Sequence, residues 1–207
     1  MKTKIRPLFR LNDKTHIYIA LFFIGLQILV MLRNYYSDYM YFFWLCDFIP
    51  TVYAFSFVVK DVQLIKGLIN ISFIPQAVNV TTFISKTLIN LIQNIPLEFT
   101  TFYTISTIIM HLTTTYVLFL TFHLETKKES LYYSITSLTI IYAVMFLFTP
   151  IERNINYIFT LDRLGFNGFS FFWIPICFII MVLPTYFLQK RLYKESKEFI
   201  KTNHKEN

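Results

Sequence analysis

Runs of roughly 20 mostly apolar residues, parted by short polar segments, recur along this chain, and a helix of that length crosses a bilayer. They cover residues 16–32, 39–59, 62–80, 100–122, 131–149 and 168–188. The third is the most polar, carrying Lys66, Asn70, Gln76 and Asn79. Of the 207 residues, 55% are hydrophobic and only 15% are charged, against about 25% charged in a soluble domain. A soluble fold of this length would leave much of that apolar surplus facing water. The composition therefore argues against a soluble enzyme or a nucleic-acid-binding domain, despite a pI of 9.3. The expected architecture is all-α, a polytopic membrane helix bundle of about six transmembrane helices. Residues 16–188 form the transmembrane domain, between a basic head (1–15) and a basic tail (189–207).

The head resembles the start of a secretory signal, but Arg33-Asn34-Tyr35-Tyr36 stands where small residues should mark cleavage. The first run thus reads as an uncleaved span. Between the third and fourth spans, residues 81–99 place Phe83, Ile84, Leu88, Leu91, Ile92 and Ile95 at helical spacing. Lys86, Asn90, Gln93 and Asn94 are interspersed, and Pro96 follows as a stop. That pattern predicts an extra interfacial or re-entrant helix.

Six crossings put both termini on one side, and the distribution of Lys and Arg decides which. With both ends inside, the inner segments hold Lys2, Lys4, Arg6, Arg10, Lys14, Lys60, Lys66, Lys127 and Lys128. The tail adds Lys190, Arg191, Lys194, Lys197, Lys201 and Lys205, which makes 15 of the 19 basic residues. The outer side keeps the other four, Arg33, Lys86, Arg153 and Arg163. Both termini are therefore expected in the cytoplasm, at the cell (plasma or inner) membrane. The net charge of +7 then anchors the inner face to anionic lipid and requires no nucleic acid.

Ionisable residues at membrane depth are expensive and so mark candidate sites. Asp47 and His111 lie clearly inside spans. Entering from the outer side near Tyr39, the second span places Cys46 and Asp47 roughly 10–12 Å down at 1.5 Å per residue. His111 lies about 16 Å down the fourth span by the same arithmetic. A thiol and an imidazole at one level form a nucleophile and its base if their helices touch. The bland alternatives are a small packing cysteine and a histidine held by Thr107, Thr114 or Thr115. Asp47 is harder to explain away and could pair with His111 or an Asn. Cys177 beside Pro175 reads as core. The outer loop at 150–167, with Glu152, Arg153, Asn154, Asn156, Tyr157, Asp162 and Arg163, is placed to cap such a site or hold a headgroup. No metal-ligand spacing, phosphate loop or cofactor motif is evident, and neither is the Gly-x-x-x-Gly pattern of close helix crossings.

At Trp44-Leu45-Cys46-Asp47 the chain resembles the YwaF-type bacterial integral membrane proteins. Their eukaryotic relatives include a phospholipid acyltransferase that uses an intramembrane Cys and His. That family's pattern has His-Leu-Cys in an early span, a His in a middle span and Asn-Tyr before the last. The matching positions here are Cys46, His111 and Asn156-Tyr157, with Pro75 near the end of the third span. The motif's own histidine is Trp44 in this chain, so a second nearby base is missing. The resemblance implies acyl transfer or hydrolysis on membrane lipids, with Cys46 as nucleophile and His111 as base. Asp47, Asn154, Asn156 and Tyr157 would orient groups or substrate. Two other readings stay open. One is a small transporter or permease component with Asp47, His111 and the third span along a path. The other is a non-catalytic scaffold that binds protein partners through the interface helix at 83–95 and the basic tail.

Overall fold

The computed structural model describes residues 14–36, 44–93, 101–150, 152 and 172–205. Their regular structure is entirely helical. Helix α1 is Thr15–Tyr36, α2 Leu45–Val59, α3 Val62–Ile92, α4 Thr101–Thr121 and α5 Glu129–Phe148. A short α6, Trp173–Cys177, runs through one π-helical turn, Phe178–Val182, into α7, Leu183–Lys205. Among the described residues, five helical stretches are long and apolar enough to cross a bilayer, while α2, at 15 residues, is apolar but shorter. Its length of about 22 Å falls short of the roughly 30 Å hydrocarbon core.

The molecule is turned inside out relative to a soluble protein. Phe119, Leu147 and Phe148 are each about two-thirds or more exposed, while Arg33, Asn34, Asp47, Lys66, Asn70, Gln76 and His111 are buried. Lipid rather than water suits such an exterior, and most of the polar groups hidden from lipid find partners inside. The long apolar helices and this inversion mark the chain as a membrane protein.

α3 is the central helix, packing against α2, α4, α5, α7 and the π-helical turn. At 100° per residue, Lys66 and Asn70 share one side of α3, while Ser72, Gln76 and Asn79 share another. On the first side, Asn70 donates to Ser134 Oγ (3.1 Å), and Gln189 of α7 donates to Asn70 Oδ1 (2.7 Å) and to the Lys66 carbonyl (3.1 Å). On the second, the Ser72, Thr114 and Tyr53 hydroxyls form a triangle with edges of 2.8–3.2 Å. Gln76 Oε1 accepts the Thr114 N–H at 3.0 Å. Gly67 lets α3 and α5 touch: a Cβ there would meet Tyr133 Cβ at 2.7 Å and the Ser130 carbonyl at 2.9 Å. Close approach thus comes from one Gly facing small residues, without a Gly-x-x-x-Gly pair.

Lys66, fully buried, has a structural partner. Its Nζ donates to the Thr121 carbonyl at 2.8 Å, in the last turn of α4. A donor there satisfies one of the orphan carbonyls at the C-terminal end of α4.

Two boundaries differ from the sequence expectation. Residues 81–92 are not a separate interfacial helix but the continuation of α3. Nothing at Val78-Asn79-Val80-Thr81-Thr82 stops a helix, and Thr81 and Thr87 bond back to the carbonyls of Ala77 and Phe83. α3 therefore extends about 46 Å. The basic tail likewise continues α7 without a break at 189. The π-helical turn just before it fits Pro184, which has no N–H to donate and whose ring would clash with the carbonyl one turn back.

Candidate functional site

At the end of the bundle where α1 leads into α2, residues of four helices, α1 to α4, line a cavity of about 170 Å³. α1 reaches it through a regular buried face: His16, Ile19, Ala20, Phe23, Leu26, Val30, Arg33 and Asn34. The last turn of α1 thus delivers Arg33 and Asn34 inward. α2 opens at the cavity, with Trp44 as its N-cap and Asp47 in its first turn, where a carboxylate is favoured by the helix dipole. α4 supplies a stripe of inward positions spaced four and three residues apart, Thr107, His111, Thr114, Leu118 and Thr121, all buried. The cavity is lined by Arg33, Cys46, Asp47, Thr107, Met110 and His111. The Trp44 and Tyr103 rings and the exposed Asn79 complete the wall.

Charge in the site is organised around one carboxylate. Arg33 Nη2 donates to Asp47 Oδ2 at 2.6 Å, both side chains being under 5% exposed. Asn34 Nδ2 donates to the same oxygen at 2.7 Å. Arg33 is itself held: Nε and Nη2 donate to Asn34 Oδ1 at 3.0 and 2.9 Å. Its Nη1 reaches Thr107 Oγ1 (3.3 Å) and Met110 Sδ (3.6 Å), and Tyr103 lies face-on at 5.4 Å. A guanidinium with this many fixed donors clamps α1, α2 and α4 together.

Cys46 and His111 both line this cavity. The Cys46 thiol donates to Asp47 Oδ1 at 3.6 Å, within the range for sulfur. His111 Nδ1 lies 2.8 Å from the Thr107 carbonyl. A carbonyl only accepts, so Nδ1 carries a proton, and in the neutral ring Nε2 is then the nitrogen whose lone pair can act as a base. Among the described residues, no group of three His, Cys, Asp or Glu side chains is arranged to hold a metal ion.

The three spanning candidates Cys46, Asp47 and His111 therefore meet at one site. Asp47 takes Arg33 and Asn34 as partners, where the sequence suggested His111 or an Asn. His111 uses Thr107, one of the residues expected to hold it. Cys177 is buried against the core, away from the cavity. The candidates Asn154, Asn156 and Tyr157 lie outside the described residues. Sequence reading missed Arg33 and Asn34 as site residues because the apolar run ends at Leu32. The missed signal was the spacing Phe23, Leu26, Val30, Arg33, which carries the buried face of α1 one turn further.

Comparison of the chain with protein-family models, with curated proteins and with solved structures finds no match.

Proposed function

We propose that this membrane protein performs thiol-based acyl transfer or hydrolysis on a membrane lipid ester, with Cys46 as nucleophile and His111 as base. The observation that carries this reading is that both residues line one cavity while the Nδ1–H of His111 is taken by the Thr107 carbonyl, which leaves Nε2 as the nitrogen for base chemistry. His111 Nε2 takes the thiol proton, and the thiolate sulfur attacks the ester carbonyl carbon. Collapse breaks the ester C–O bond, leaves a thioester on Cys46, and the leaving alkoxide takes the proton from His111. An acceptor alcohol or water, deprotonated by His111, then attacks the thioester and returns the thiol. A resemblance to the YwaF-type proteins agrees with this chemistry, with Trp44 replacing that family's extra histidine.

Six crossings with both termini cytoplasmic would set the cavity in the outer half of the bilayer, near the depth of lipid ester groups. The test is the lipid profile of membranes bearing the protein or its Cys46→Ala variant. Loss of a lysolipid or acyl-exchanged product in the variant supports the reading, and an unchanged profile refutes it. The buried polar stripe along α4, with Ser72 and Gln76 facing it, favours a second reading, a permease component. Solute flux in liposomes that is lost in Asp47→Asn and kept in Cys46→Ala would select it.

A further inference from the structure

The Asp47 carboxylate is divided between two tasks. Oδ2 is saturated, taking Arg33 at 2.6 Å and Asn34 at 2.7 Å. Oδ1 is left to accept the Cys46 S–H. His111, though on the same cavity, receives no hydrogen bond from the thiol among the described residues, and its Nδ1–H is committed to Thr107. We infer that Arg33 and Asn34 are positioning residues that latch the resting site, turning Asp47 so that its free oxygen holds the Cys46 thiol off the imidazole.

The inference rests on the Cys46/His111 reading for its purpose, since only a nucleophile needs a latch. Release is a rotation about the Cys46 Cα–Cβ bond, which carries the S–H from Oδ1 toward His111 Nε2 with no bond made or broken. A lipid ester entering the cavity beside Asp47 supplies the reason to turn. A carbonyl near the Arg33–Asn34 donors would compete for the hydrogen bonds that fix Oδ2, and that competition loosens the carboxylate. The latch also keeps a membrane thiol from reacting while the cavity is empty.

The experiment is infrared spectroscopy of the S–H stretch in the full-length protein, with Cys177→Ser removing the second thiol. Cys46→Ala identifies the band by its loss. The expected wild-type band is lowered, as for a thiol donating to a carboxylate. It stays in place in His111→Ala and rises toward the free-thiol position in Arg33→Met/Asp47→Leu. That double variant removes both charges together, so no buried charge is left alone to unfold it. Asn34→Ala, which keeps the ion pair, shifts and broadens the band as Asp47 gains freedom. A band that moves in His111→Ala, or stays fixed in the folded double variant, overturns the inference. The reading is independent of the lipid assay. An unchanged lipid profile in Cys46→Ala with the expected band shifts would remove the acyl-transfer function and leave the thiol–carboxylate bond standing.

Discussion

Removing Arg33 should cost this protein much of its stability, and removing Asp47 with it should restore most of the loss. At the 2.6 Å separation of Arg33 and Asp47, with an effective dielectric constant of about 20, the Coulomb attraction is about 6 kcal/mol. Desolvation of two nearly inaccessible groups opposes it, so the pair's net worth is far smaller. The single variant Arg33→Met keeps the desolvation of Asp47 and loses its counter-charge, which in buried pairs costs about 3–5 kcal/mol. It also loses donors to Asn34 and Thr107, so the upper half of that range is expected. Against a total stability of about 5–15 kcal/mol, such a loss is readily measured. In Arg33→Met/Asp47→Leu no charge remains unpaired, and stability should return to within about 1–2 kcal/mol of wild type. Reversible unfolding in mixed micelles of rising anionic-detergent fraction measures this, with helical circular dichroism as the global signal. With Trp173→Phe as background, Trp44 fluorescence reports from the cavity wall. The cycle of two single variants and the double yields the coupling directly. Additive losses, or a cost below about 1 kcal/mol for Arg33→Met, would mean that the clamp is not what joins α1 to α2 and α4.

Gly67→Ala should separate α3 from α5, because the new Cβ meets a neighbouring Cβ at 2.7 Å and the Ser130 carbonyl at 2.9 Å, leaving backbone to give way. Overpacking costs about 1–3 kcal/mol, set against a helix-propensity gain of about 1 kcal/mol, so net destabilisation of about 1 kcal/mol is expected in the same unfolding assay. Weakening of the Ser134-to-Gly67 hydrogen bond (3.1 Å) adds to it, and a stabilised variant would contradict the contact. Asp61 caps α3 in the α2–α3 turn, accepting from the Gln63 and Leu64 N–H groups and, at 2.6 Å, from the Tyr133 hydroxyl. Partial burial pushes its carboxyl up, but the hydrogen bonds from Tyr133, Leu64 and Gln63 outweigh that and hold it below the ordinary value. A lowered folded pKa stabilises above the unfolded value of about 3.9, and that stability is lost as pH falls through the folded pKa. Asp61→Asn should thus be less stable than wild type at neutral pH by about 1 kcal/mol, with the gap closing below about pH 4. A pH-independent gap would show that the charge is irrelevant.

Hydropathy located the helices well because burial in lipid is a sum over many residues and tolerates error in any one. The same averaging hid the boundaries. Arg33 lowers the mean of its window and ends the apolar run, yet a helix ends where its hydrogen bonding ends, and no Gly or Pro stops α1 before Tyr36. The error at residue 81 has a similar origin, for polarity rose there while every residue remained compatible with a helix. Within the site, the cost of charge in a membrane singled out Asp47 and His111, and Cys46 came with Asp47 as its neighbour in the chain. An Asn partner for Asp47 was legible and is Asn34, but Arg33 was counted as a loop charge and so was never offered to Asp47 as its counter-ion. Rotation of a helix about its axis is read only from its buried face.

That rotation links topology to chemistry. Arg33 and Asp47 are 14 residues apart on consecutive helices, so their pairing needs only the α1–α2 hairpin to close. Each charge alone would be costly to hide from water in a bilayer, and each is cheapest to bury where the other lies. α2 gains most, since it is short and carries its carboxylate in the first turn. Neutralising Asp47 removes the main penalty on drawing that turn into the bundle, while the buried faces of α1 and α2 stack Phe23 against Tyr53 and Phe57 at 5.6 and 5.8 Å. Cys46 enters the bundle as the residue next to that carboxylate. The thiol therefore reaches the cavity as a consequence of how α2 is inserted. A chain that kept the cysteine and histidine but lost Arg33 would be expected to lose the site's geometry before losing its helices.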